Sequence, residues 1–110
     1  MALIPKHPAW GRLLGDIVSS ETKTVFQRVL SDVKAVKVVL TLSNDAQDKA
    51  KQLEINIFNS DGEVSDMIGP KGGAAFSLLV EAIEDGPNLK LNVTNNEAYD
   101  LKYNLIFSDS

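Results

Sequence analysis

From Asn88 to Phe107 the chain alternates twice between apolar and polar residues. Leu89, Leu91 and Val93 alternate with Lys90, Asn92 and Thr94. After Asn95-Asn96-Glu97-Ala98, the residues Leu101, Tyr103, Leu105 and Phe107 alternate with Lys102 and Asn104. A period of two places each set on opposite faces of a strand, so both runs read as strands with one buried face. Ile106 is the one outward apolar residue. Asparagine tolerates positive φ and bonds its own backbone, so the double Asn predicts a hairpin over 88–107. A hairpin alone is marginal in water, so the rest of the chain must cover its apolar face.

The same alternation recurs upstream. Val36, Val38, Leu40 and Leu42 point one way across Ala35–Ser43, and Leu53, Ile55 and Ile57 do so across Gln52–Phe58. Asn59-Ser60-Asp61-Gly62 predicts a tight turn, and Glu63–Pro70 a short edge strand. Two segments, 22–33 and 74–85, satisfy both periods. Strand formers (Thr22, Thr24, Val25, Phe26, Val29) favour a strand in the first. In the second, Glu81, Glu84 and Asp85 would crowd a helix C-terminus, where the dipole disfavours them. A strand there turns Phe76, Leu78, Val80 and Ala82 inward. Short strands with turn signals every 8–12 residues predict an all-β antiparallel sandwich, jelly-roll-like or immunoglobulin-like. Residues 1–20 show no period and carry Pro5 and Pro8, so they read as an extended arm before a sandwich domain over 21–110.

From about Thr22 to Phe107 the order VKVVLTL, LEINIFNSDGE, AAFSLLVEAIEDGPNLKLNV, YDLKYNLIF resembles small bacterial pre-peptidase C-terminal-type sandwich modules. Those modules show a strand ending in an Asn/Asp-Gly turn, a further sheet strand, a Gly-containing turn and a last strand with a Tyr-x-Leu-like ending. The paired aspartates that often precede their central strand are replaced here by Gln52-Leu53-Glu54-Ile55. The resemblance implies an architecture and a non-catalytic accessory role, and no site residues.

Composition narrows the function. The 110 residues fit one domain. A net charge of −4 argues against non-specific binding to nucleic acid or anionic lipid. The sequence has no cysteine, which removes disulfides and thiolate chemistry. No run reaches the roughly 18 apolar residues of a membrane span, and the N-terminus does not read as a signal peptide. The expected setting is therefore cytoplasmic or virion-associated.

Candidate chemistry is sparse. His7, the one histidine, sits between prolines without a partner in sequence, so neither a triad nor a histidine zinc site is expected. Asn59, Asp61 and Glu63 alternate like calcium-loop ligands, but Pro70 stands where the closing bidentate Glu belongs. Glu81, Glu84, Asp85 and Glu97 hold the acid/base groups of a glycosidase only if a deep cleft gathers them. Gly69, Lys71 and Gly72 within MIGPKGG resemble the GXXG loop of KH domains, which clamps a nucleic-acid backbone between helices. That reading needs helices over 63–68 and 74–85.

The expectation is thus a non-enzymatic structural or interaction module, without cofactor or metal, that meets a protein partner or a second copy through Trp10, Leu13 and Leu14. A KH-like nucleic-acid binder and a carbohydrate- or calcium-binding accessory sandwich are the alternatives. Tryptophan carries the first reading, because it is enriched where binding energy concentrates.

Overall fold

The computed structural model describes residues 10–109. Eight strands follow in order: β1 (Trp10–Ile17), β2 (Thr22–Val29), β3 (Ala35–Asn44), β4 (Lys49–Ser60), β5 (Glu63–Gly73), β6 (Leu78–Asp85), β7 (Asn88–Asn95) and β8 (Leu101–Asp109). A single 3₁₀ turn, Leu30–Asp32, lies between β2 and β3. The strands form a five-stranded sheet, β1-β8-β3-β4-β5, and a three-stranded sheet, β2-β7-β6, with every pairing antiparallel. The fold is the expected sandwich, and the two ambiguous segments are strands over 22–29 and 78–85, with residues 30–32 in the 3₁₀ turn and 74–77 outside regular structure.

The inward rows form one core. Val38, Leu40, Ile55, Ile57, Leu101 and Leu105 from the larger sheet meet Leu89, Leu91 and Val93 from the smaller, all without solvent contact. Phe26 and Phe107 pack ring to ring between the sheets, centroids 5.1 Å apart. Burial of this kind supplies the main drive to fold, roughly 25 cal/mol per Å² of apolar surface.

The hairpin predicted over 88–107 is not formed. β7 pairs with β2 and β6, whereas β8 pairs with β1 and β3, so residues 96–100 carry the chain from one sheet to the other. Two alternating runs facing each other across a core have the same sequence signature as two runs side by side. Asn95, fully buried, holds the crossing in place: its Nδ2 donates to Ile17 O at 3.0 Å and to Tyr99 O at 2.9 Å. Its Oδ1 accepts from the Glu97 amide at 2.9 Å. The double Asn thus specifies a crossing rather than a hairpin turn.

True hairpins lie elsewhere. Asp61 (φ 53°) and Gly62 (φ 86°) form the two-residue loop between β4 and β5, the left-handed pair that a type I′ turn requires. Gly86 (φ 59°) and Pro87 join β6 to β7, with glycine first as in type II′.

β2 explains why its segment defied a single period. A bulge between Thr24 and Phe26 inserts Val25, so Val25 and Phe26 are buried in succession.

Residues 10–17 of the segment read as an arm form β1, paired along their whole length with β8; residues 1–9, including Pro5, His7 and Pro8, lie outside the described residues. β1 does alternate, but glycines stand in its inward row. Gly11 lies opposite Phe107 and Gly15 opposite Tyr103. A Cβ on Gly11 would come 2.7 Å from Phe107 Cζ, and one on Gly15 2.7 Å from Tyr103 Cε1. The rings of β8 fill the space that side chains on β1 would take.

Candidate functional site

β1 sorts the three tentative anchor residues by face. Register with β8 turns Trp10, Arg12, Leu14 and Asp16 to the outer face, and Gly11, Leu13, Gly15 and Ile17 toward the smaller sheet. Trp10 and Leu14 are 70% and 65% exposed. Leu13, opposite Leu105, is 38% exposed at the sandwich flank. The structure therefore places Trp10 and Leu14 on one face, on either side of Arg12, and sets Leu13 on the other side of the strand.

Two residues from other strands complete the outer patch. Ile106 pairs with Arg12 and is half exposed; Val39 pairs with Ile106 in turn and is half-buried. Trp10 and Leu14 flank Arg12, so both are diagonal neighbours of Ile106, within reach of long side chains. The sequence signal for Ile106 was its place as the only outward apolar residue of its strand. Arg12 lies among these residues, its Nε donating to Asn104 Oδ1 at 2.9 Å. Toward β5 the face turns polar, with a Lys37–Glu54 ion pair at 3.0 Å before the exposed Met67.

The KH-like reading is overturned. Residues 63–68 and 78–85 are strands, so the helices that would flank a GXXG loop do not exist. Gly69, Lys71 and Gly72 lie within β5 itself: Gly69 pairs with Glu54, Gly72 with Gln52, and Lys71 is the extra residue of a bulge between them. The glycines serve that irregular strand end. Gly73 (φ 105°) passes so close to Ala50 O that a Cβ there would collide with the carbonyl.

Of the two candidate sets, Asn59, Glu84, Asp85 and Glu97 are spent on structure. Asn59 donates to Leu30 O at 2.9 Å and Val33 O at 3.0 Å, and accepts from the Gly62 amide at 2.9 Å, so its carboxamide braces the turn. Glu84 Oε1 accepts from the Val64 amide at 3.1 Å and Glu97 Oε1 from the Ser77 amide at 2.7 Å, while Asp85 pairs with Lys90. These groups have separate partners and do not converge on one cleft.

A shallow depression of about 430 Å³ lies at one end of the sandwich, lined by Asp16, Asn44, Asp45, Asp100 and Lys102 among others. Two of its three acids have partners: Asp100 Oδ1 accepts from the Ser19 amide at 2.9 Å, and Asp45 lies 3.6 Å from Lys102 Nζ.

No family model matches this sequence, and no curated protein is similar to it. Among solved structures it is similar to a tailspike protein of Acinetobacter baumannii phage AM24, at 7% identity with a TM-score of 0.41, over 92% of this chain and 26% of that one. The chain thus spans about a quarter of the tailspike's length, and a likeness this distant carries no function with it.

Proposed function

We propose that this chain is a non-enzymatic structural or interaction module of a larger assembly, such as a virion component, and that it meets a protein partner through the outer face of β1. The observation that carries the reading is the exposure of Trp10 and Leu14 on a paired strand, beside the half-exposed Ile106. An apolar cluster with tryptophan at its end and arginine at its centre has the composition of a protein-binding hot spot. A strand backbone holds these side chains in fixed spacing, which lowers the ordering cost of association.

Trp10 is the sole tryptophan, so its emission reports the site directly. In the native assembly its fluorescence is blue-shifted and shielded from iodide relative to the isolated chain. The double variant Trp10→Glu/Leu14→Glu folds normally and is not incorporated. Equal quenching of Trp10 in the isolated and assembled states would refute the reading. Deleting residues 1–19 is a poorer test, because it strips β1 from β8.

A further inference from the structure

The two edges of the five-stranded sheet are treated differently. β5 carries Pro70, a glycine bulge and the inward carboxylate of Asp66, all devices that discourage strand addition. β1 carries none of them. Its inward residues are Gly11, Leu13, Gly15 and Ile17, and among the described residues no side chain bonds the backbone of Trp10 through Gly15. An unguarded edge of this length is a template for another strand.

We infer that β1 pairs antiparallel with β1 of a second copy about a two-fold axis, in the register that sets Leu14 opposite Leu14. The inference rests on the proposed role of β1 as a contact surface, and it names the partner. Charge selects the register. With Leu14 on the axis, Arg12 of each copy faces Asp16 of the other, and symmetry makes the pair twice. Leu13 then faces Gly15 of the second copy, and Trp10 comes opposite Val18, an exposed apolar residue just past the strand. An axis at Leu13 instead sets Trp10 against Asp16 and Arg12 against Leu14. An axis at Arg12 sets Arg12 against itself. A shift of the pairing by one residue would turn every side chain to the wrong face. The bond from Lys23 Nζ to Asp16 O, at 2.9 Å, is compatible with pairing because a carbonyl has two lone pairs.

The full-length chain is expected to run as a dimer by light scattering. Arg12→Asp and Asp16→Arg, each alone, place like charges opposite each other and give monomers. Mixing the two variants restores a dimer, and so does the double variant Arg12→Asp/Asp16→Arg. Directly opposed residues lie about 4.5–5.5 Å apart at Cα, within disulfide range, so Leu14→Cys crosslinks under copper–phenanthroline while Glu63→Cys on β5 does not. A monomer mass for the wild type overturns the pairing, whether β1 is then covered by residues 1–9 or by another protein. So does crosslinking no faster at position 14 than at position 63. If Trp10 is nevertheless shielded in the native assembly, the proposed function survives the loss of this pairing.

Discussion

The β1/β2 flank of the sandwich is closed from within, and the β5/β6 flank from its rim. At the first, the Tyr103 and Phe107 rings lie on the backbone of Gly15 and Gly11, and cations cover them from the β2 side. Lys23 Nζ sits 5.6 Å from the Tyr103 centroid; the Arg28 guanidinium sits 4.4 Å from that of Phe107 and 4.9 Å from that of Phe26. Arg28 Nε and Nη2 are buried without a hydrogen-bond partner among the described residues, and the ring faces are what they meet. At the second flank two carboxylates bridge the edges. Asp66 Oδ2 accepts from the Ala82 amide at 2.9 Å, and Glu84 accepts from the Val64 amide.

Sheet edges can thus be closed by shape or by hydrogen bonding, with different consequences. Steric interlock at β1 uses no side-chain bond to the outer edge of residues 10–15 among the described residues. Carboxylates at β5 and β6 occupy edge amides, and they bring charge that opposes strand addition. The first flank is also tied to the crossing, because Asn95 bonds Ile17 O there and exchanges backbone bonds with the β1–β2 turn.

Substitutions at the two flanks should separate these mechanisms, read as urea midpoints at constant m-value. The largest loss is expected for Asn95→Leu, about 3 kcal/mol, because Ile17 O, Tyr99 O and the Glu97 amide lose their shared partner. A loss under 1 kcal/mol would show that the crossing does not depend on it. Gly15→Ala comes next, at roughly 2 kcal/mol, since the added methyl must displace a buried tyrosine ring. If it stabilised the protein, the interlock would be disproved. At the other flank Asp66→Ala should cost about 1 kcal/mol and speed hydrogen exchange at the Ala82 amide, with Asp66→Asn keeping most of the bond. Glu84→Gln is expected to move stability by less than about 0.5 kcal/mol, because the exposed bond competes with water. Were Glu84→Gln costlier than Gly15→Ala, the ranking of the flanks would be reversed.

Much of the sandwich was legible, and the misses share a cause. The inward rows of β3, β4, β7 and β8 and the Asp61-Gly62 turn follow from local alternation and turn chemistry. β1 was hidden because two of its four inward positions, Gly11 and Gly15, are glycines, and the groups that fill their space belong to β8, far along the chain. β2 was blurred by one inserted residue. Of the site, Trp10 and Leu14 could be named from residue type. Their separation from Leu13, and their junction with Ile106 and Val39, required the pairing of β1 with β8 and of β8 with β3.

By itself the sequence determined which residues of most strands face the core, where two-residue turns with positive φ can form, and that thiolate chemistry is absent. Only the tertiary structure decided which strand lies beside which: that β7 and β8 belong to different sheets, and that Asn95 marks a crossing. The reason is physical. Alternation is local and repeats every two residues, whereas strand pairing uses backbone groups that are the same at every residue. The choice among pairings is made by distant side chains, such as Phe107 over Gly11 and Tyr103 over Gly15, once the fold brings them together.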